Sequence, residues 1–120
     1  MRKIFTIVIL LFTLSNGIAQ KKEICIIKTS LGDITVELYS KKAPITVANF
    51  LKYVDAHLYD NTSFFRSVTL QNQPKDSVKI EVIQGGEVDS TKVFSAITLE
   101  RTSETGIFHK NGAISMARDA

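Results

Sequence analysis

The sequence contains a single cysteine, Cys25, and this scarcity excludes an intramolecular disulfide. We therefore expect the domain to be stabilised by its apolar core alone. Ile24, Ile26 and Ile27 lie beside the cysteine, which predicts a buried thiol. A lipid-modified cysteine would directly follow an apolar run, whereas residues 20–23 separate Cys25 from the run before it.

Long apolar runs are confined to the N-terminus, where two basic residues precede a run over residues 4–14. Gly17 and Ala19 then supply the small residues that a signal peptidase requires. We predict a signal peptide over residues 1–19, with Gln20 as the new N-terminus. A membrane-spanning helix needs about 20 apolar residues. We therefore expect an exported protein, periplasmic or secreted, with no stable membrane insertion after cleavage.

Neither metal ligands nor a basic surface is indicated by the remaining composition. His57 and His109 stand at no spacing that is typical of a metal site with the available carboxylates, so we predict no metal and no cofactor. Removing the two basic residues of the signal peptide from the 15 in the chain leaves 13, against 12 acidic residues. Because the two signs are interspersed, we expect no nucleic-acid partner.

The first part of the mature sequence shows two kinds of periodicity. EICIIKT and DITVELY, joined by a short turn containing glycine, predict a β-hairpin over residues 23–39. Pro44, followed by apolar residues three or four positions apart, predicts an amphipathic helix that ends near residues 57–58. A two-stranded unit with a helix behind it is therefore expected.

The later part predicts further strands. SFFRSV and VKIEVIQ indicate strands over residues 63–68 and 78–84, separated by a polar loop. The pattern over residues 87–111 is weak, with one candidate strand over residues 94–99. Together these elements predict one mainly β domain over residues 20–120, an antiparallel sheet partly covered by a helix, as in a barrel or sandwich.

Four blocks in this order resemble the cyclophilin family of peptidyl-prolyl cis-trans isomerases. They are the hairpin and helix IIKTSLGDITVELY…APITVANFLKYV, then YDNTSFFRSV, EVIQGGE and GAISMAR, spanning residues 24–118. The family patterns are YDGT-x-FHRV, FMIQGGD and G-x-x-SMA. The resemblance implies a cyclophilin-like closed antiparallel β-barrel with capping helices, only the earlier part of which is encoded here. The family's later Phe-rich strand, tryptophan-bearing loop and histidine have no counterpart in this sequence.

The resemblance assigns catalysis to Arg66, with Gln84 beside it. Rotation about an X–Pro bond is slowed by a barrier of about 18–20 kcal/mol, which falls when a cation or donor near the prolyl nitrogen weakens the amide resonance. Arginine suits this role because its fork stays charged. The alternative is a surface arginine paired with a carboxylate. Gln84 would hold a peptide carbonyl or position the arginine; alternatively, it bonds a loop backbone.

The resemblance also assigns substrate contacts. Phe65 would face the substrate as an apolar contact; alternatively, it is merely a half-exposed strand residue. Val82 would line the proline pocket. Ala117 and Arg118 would contact the peptide backbone, unless Ala117 is simply packed in the core. Phe64 is expected to be a core aromatic. Glu81 replaces the aromatic of the family's proline pocket, and Leu70 or Ile80 from the long loop before it would be the substitute.

These inferences predict a peptidyl-prolyl isomerase that assists the folding of exported proteins. Its partners would be proline-containing peptides or unfolded exported proteins, and we expect a monomer. Two alternatives remain. One is a non-catalytic peptide-binding or chaperone-like module, favoured by Glu81 and by the missing aromatic residues; the other is an incomplete product without activity.

Overall fold

The computed structural model describes residues 22–118, and the predicted signal peptide over residues 1–19 lies outside them. The elements in chain order are β1 (Glu23–Thr29), β2 (Gly32–Leu38), α1 (Pro44–Asp55), β3 (Phe64–Val68), a 3₁₀ turn (Leu70–Asn72), β4 (Val82–Gly85) and α2 (Thr102–Thr105). The domain is mainly β with few helices, as the sequence predicts. No helix within the described residues is long and apolar enough to cross a membrane.

β1 and β2 form the predicted hairpin and pair along their whole length, from Glu23 opposite Leu38 to Thr29 opposite Gly32. Thr29 closes the turn, because its hydroxyl donates to the carbonyl of Gly32 at 2.7 Å and accepts from the amide of Leu31 at 3.1 Å. Gly32 has a φ of 130°, which favours glycine. The turn and the alternating pattern therefore select the same register.

A small apolar core lies between one face of this hairpin and α1. Its buried residues are Val36, Leu38 and Val47, and the partly buried residues packed against it are Cys25, Ile27, Phe50 and Leu51. The Cys25 thiol is predicted to be buried, but it is only partly buried, because this small core covers it only in part. Ile24 and Ile26 alternate with it along β1 and are exposed.

α1 begins at Pro44, as predicted, and ends at Asp55, earlier than predicted. The cause is His57, whose φ of 55° lies in the left-handed region and cannot continue a helix. The amide of His57 donates to the carbonyl of Val54 at 3.0 Å and satisfies one of the last helical acceptors. The apolar periodicity of the sequence thus extends to Leu58, past Asp55 where the helix ends.

β3 and β4 form a second, separate antiparallel sheet. β4 begins at Val82 and not at residue 78, because both backbone polar groups of Ile80 bond to the side chain of Gln73 and not to β3. Within residues 22–118 the two sheets contain two strands each, so the closed barrel implied by the resemblance is not formed by the described residues.

The candidate strand over residues 94–99 is wrong, because this segment lies against α1 and not in a sheet. The amide of Phe94 donates to the hydroxyl of Tyr53 at 3.0 Å, and the two rings meet edge to face at 4.8 Å. The ammonium of Lys52 lies 3.9 Å from the centre of the Phe94 ring, within the range of a cation–π contact. The Tyr53 hydroxyl therefore accepts from the backbone amide of Phe94 that a strand would have used for pairing, and Lys52 covers one face of the Phe94 ring.

Glu100 attaches the same segment to the N-terminus of α1. Its carboxylate accepts from the amides of Ile45 and Thr46 at 3.1 and 2.8 Å, and from the hydroxyl of Thr46 at 2.8 Å. Ala43, at the capping position, has no side chain that could do this. A residue more than fifty positions away therefore caps the helix.

Phe64 is 47% exposed, so its prediction as a core aromatic is wrong. The ring lies against the backbone of Gly85, where a Cβ atom would be 2.7 Å from Cδ1 of Phe64. A glycine backbone is a narrow surface and covers only part of a phenyl ring. The described residues place no layer of apolar side chains over the rest of it.

Candidate functional site

Arg66 and Gln84 are brought together by the pairing of β3 and β4, in which they are direct partners. Nη1 of Arg66 donates to Oε1 of Gln84 at 3.1 Å. The arginine is exposed and the glutamine is half-buried. Since a guanidinium carries five N–H donors in a fixed plane, this single contact orients the group and leaves other donors free for a ligand.

The alternative arrangement, an Arg66–carboxylate ion pair, does not occur among the described residues. Their salt bridges join Lys22 to Glu37 and His57 to Asp60, and no carboxylate lies within 4.0 Å of the Arg66 guanidinium. Among residues 22–118, therefore, no carboxylate directly neutralises the positive charge of Arg66. An exposed, oriented and unneutralised cation can stabilise negative charge or donate hydrogen bonds to a bound peptide.

Phe65 and Val82 lie on either side of this pair. Phe64 pairs with Gly85 and Arg66 with Gln84, so Phe65 is the additional residue of a β-bulge. A bulge redirects a side chain relative to the regular strand, and Phe65 is exposed. Val82, two residues before Gln84, is also exposed.

Ala117 and Arg118 are exposed and lie in an irregular segment, so GAISMA does not form a strand. Among residues 22–118, no hydrogen bond connects either of them to Arg66 or Gln84. Glu81 is exposed and immediately precedes β4. The structure thus joins four of the six site residues in one sheet and does not join the other two to it.

Tyr59, the first residue of the YDNTSFFRSV block, connects the β3–β4 sheet to α1, a role that the sequence pattern did not assign to it. Its ring lies 5.5 Å from that of Tyr53 and 5.6 Å from that of Phe50, both on α1. Burial raises the pKa of its hydroxyl. Gly86, with a φ of 77°, passes so close that a Cβ atom there would lie 2.9 Å from Cδ1 of Tyr59. The second glycine of QGG therefore permits this approach.

Gln73 and Glu100 are further positioning residues that sequence reasoning missed. No local pattern marks either one, because the hydrogen-bond partners of Glu100 are more than fifty residues away and those of Gln73 lie in a loop without periodicity. Partial burial acts to raise the pKa of the Glu100 carboxyl. The hydrogen bonds donated by Thr46 and Ile45 outweigh it and hold that pKa below its usual value.

The described residues contain no group of three or more histidine, cysteine, aspartate or glutamate side chains that could hold a metal ion. The candidate site itself brings together Arg66 and Gln84, with the apolar side chains of Phe65 and Val82 beside them. A guanidinium and an amide can bind and polarise a peptide group.

Comparison with known proteins identifies the family. The model of the cyclophilin-type peptidyl-prolyl cis-trans isomerase family matches residues 24–120. A peptidyl-prolyl cis-trans isomerase from Acinetobacter baylyi is 34% identical over 93 residues, which cover 76% of this chain and 44% of that protein. Peptidyl-prolyl cis-trans isomerase A of Dickeya dadantii is 30% identical over 95 residues, covering 78% of this chain and 45% of that protein.

A third relative, a peptidyl-prolyl cis-trans isomerase from Streptomyces antibioticus, is 32% identical over 94 residues, covering 77% of this chain and 51% of that protein. No solved structure matches the chain significantly. The chain spans about half the length of these curated relatives. The family match covers nearly all of the sequence after the predicted signal peptide, and the chain therefore belongs to the cyclophilin-type peptidyl-prolyl cis-trans isomerase family.

Proposed function

We propose that this protein catalyses the cis–trans isomerisation of X–Pro peptide bonds, with Arg66 as the catalytic residue. The observation that carries the proposal is the hydrogen bond from Nη1 of Arg66 to Oε1 of Gln84 on an exposed face of β3 and β4. It orients a cation that has no carboxylate partner among the described residues. Membership in the isomerase family supports the same activity.

The proposed mechanism is electrostatic. In the planar amide the nitrogen lone pair is conjugated with the carbonyl, and rotation costs about 18–20 kcal/mol because that conjugation is lost. In the twisted state the lone pair is localised on the prolyl nitrogen. The Arg66 guanidinium would donate to this nitrogen and stabilise the twisted state over either planar state. No covalent intermediate is needed.

Gln84 would fulfil two roles through the two ends of its amide. Its oxygen accepts from Arg66, and its NH₂ group remains available to donate to a carbonyl of the peptide. Phe65 and Val82 would contact the proline side of the substrate. Ala117 and Arg118 would contact the peptide backbone, which requires that their segment approach the sheet.

The proposal extends to the setting of the enzyme. The elements of residues 22–118 would contribute to a closed antiparallel β-barrel with capping helices. The predicted signal peptide over residues 1–19 favours an exported monomer, periplasmic or secreted, acting on proline-containing peptides or unfolded exported proteins. Uncatalysed X–Pro isomerisation takes tens to hundreds of seconds, slow enough to limit their folding.

A second candidate is a peptide-binding module without catalysis. The observation that favours it is the exposed carboxylate of Glu81, directly before Val82, where the family pattern has an aromatic residue. A pocket without that aromatic wall would bind an X–Pro segment without gripping the ring tightly. Binding would then persist while the rotation barrier remained unchanged.

A protease-coupled cis-to-trans assay on an Xaa-Pro peptide separates the two candidates. The full chain would be compared with Arg66→Ala and with Lys28→Ala, which removes an exposed cation from β1. We expect activity in the wild type and in Lys28→Ala, and a loss of about 10²–10³ in kcat/KM for Arg66→Ala. A folded wild type that binds the peptide without accelerating isomerisation would replace the isomerase proposal with the binding module.

A further inference from the structure

The loop between β3 and β4, residues 69–81, is held closed by one side chain. Nε2 of Gln73 donates to the carbonyls of Thr69 and Ile80, both at 2.6 Å, and Oε1 accepts from the amide of Ile80 at 3.1 Å. Gln73 is a polar residue, yet it is buried, with only 8% of its surface exposed. One amide therefore joins the beginning of the loop to its end.

A second amide reinforces the beginning of the loop. Oδ1 of Asn72 accepts from the amide of Thr69 at 2.8 Å, and its Nδ2 donates to the carbonyl of Ser67 on β3 at 3.0 Å. The ammonium of Lys79 also donates to the carbonyl of Leu70 at 3.4 Å. All of these bonds are made within residues 67–80, so they restrict conformational freedom that the loop would otherwise lose when a ligand binds.

The ordered loop exposes apolar side chains beside the candidate site. Leu70 is 46% exposed and Ile80 is 50% exposed. They are two residues beyond Val68 and two residues before Val82, the last pair of the β3–β4 ladder. The chain therefore holds Leu70 and Ile80 near the end of the ladder that leads directly to Arg66 and Gln84.

The charges of the loop identify the kind of partner that this surface fits. Lys75 and Lys79 are balanced by Asp76 and Glu81, so the loop has no net charge with which to select an acidic or a basic ligand. The loop instead exposes the apolar side chains of Leu70 and Ile80. Leu70 is four residues beyond Arg66 and Ile80 is four residues before Gln84. Four residues of an extended peptide span about 13 Å. A peptide held at Arg66 and running along β4 would thus reach this surface within a few residues of its proline.

We propose that the loop clamped by Gln73 is a specificity subsite, in which Leu70 and Ile80 bind an apolar side chain of the substrate near the isomerised proline. The inference rests on the proposed isomerase function and deepens it. Substrates are then proline-containing segments that carry an apolar residue about four positions from the proline. Gln73 is the positioning residue, since it touches the loop backbone and not the peptide.

The test uses the full chain and two series of Xaa-Pro peptides, with leucine or serine four positions before the proline in one series and four positions after it in the other. The Kd values by fluorescence anisotropy and kcat/KM by the coupled assay are measured for each peptide. We expect one series to favour leucine by about fivefold, the ratio for removing roughly half of a leucine side chain from water.

Four variants locate the preference. In Leu70→Ser and Ile80→Ser the leucine-to-serine ratio should fall to about one. Ile24→Ser, the same change at an exposed isoleucine on β1, should leave the ratio unchanged. In Gln73→Ala the ratio should fall although both apolar side chains remain, and the amide of Ile80 should exchange its hydrogen faster, which shows that the loop has opened.

The outcomes distinguish this inference from the function on which it rests. Turnover that depends on Arg66 but is indifferent to leucine in both series would overturn the subsite and leave the isomerase intact. A leucine preference that survives Leu70→Ser and Ile80→Ser would also overturn the subsite. A wild type that neither binds nor isomerises any peptide would overturn both proposals.

Discussion

Arg66 and Gln84 face each other across β3 and β4, and the guanidinium of the first donates to the amide oxygen of the second at 3.1 Å. The strand pairing holds both backbones, so the contact depends on register and not on a flexible loop. A side chain with many rotamers is thereby limited to the few that keep Nη1 on Oε1. In a proposed mechanism that depends on where a positive charge stands, this limitation is the contribution of Gln84.

This coupling predicts non-additive losses of activity. Gln84→Ala should lower kcat/KM about tenfold, because the guanidinium loses a charge-assisted hydrogen bond and its fixed orientation. Once Arg66→Ala has removed the guanidinium, adding Gln84→Ala should cost less than it does alone. The double-mutant cycle is measured with the coupled assay. Equal costs of Gln84→Ala in both backgrounds would contradict a positioning role for Gln84.

The contact between Glu100 and the first turn of α1 predicts a local effect on hydrogen exchange. In Glu100→Ala the amides of Ile45 and Thr46 should exchange about fivefold faster, a change of about 1 kcal/mol, which is typical of a lost helix cap. Glu87→Ala removes an exposed carboxylate from the same irregular segment and should leave both amides unchanged. If Glu100→Ala leaves them unchanged too, the segment does not cap the helix in solution.

The pKa of the Glu100 carboxyl predicts the direction of a pH dependence. Burial raises the pKa of the Glu100 carboxyl, but the hydrogen bonds from Thr46 and Ile45 lower it by a larger amount. The pKa in the folded state therefore lies below the usual value. The resulting stabilisation is complete above the ordinary carboxyl pKa of about 4.3 and is lost as the pH falls through the lower, folded value. The melting temperature of the wild type should therefore exceed that of Glu100→Gln at neutral pH and converge with it in acid. A difference that grows towards acid pH would contradict this sign.

The approach of Gly86 to Tyr59 predicts a difference between two glycine substitutions. Gly86 and Gly112 have nearly the same left-handed φ, 77° and 79°. Both changes to alanine should cost about 1–2 kcal/mol for the backbone conformation. Only at Gly86 does the new Cβ also meet a ring, 2.9 Å from Cδ1 of Tyr59, which should add about 1 kcal/mol or more. Equal urea midpoints for the two variants would show that Tyr59 moves aside.

Local patterns determined the elements whose hydrogen bonds close nearby. The alternation in β1 and β2, with a turn at Gly32, predicted a hairpin that forms in one register. Pro44 marked the start of α1, where its missing N–H costs nothing. The motif blocks also predicted Arg66 and Gln84 at one site, and the pairing of β3 with β4 brings the two residues together.

Tertiary structure decided what depends on partners that are distant along the chain. Residues 78–81 have the pattern of a strand, yet Gln73 binds the backbone of Ile80 and delays β4 to Val82. Glu100 caps a helix that starts more than fifty residues earlier. Periodicity in the sequence indicates which side chains are buried. A buried backbone N–H or C=O group, by contrast, forms a hydrogen bond with whichever partner the fold brings within about 3 Å. That choice is made in three dimensions and has no local signal in the sequence.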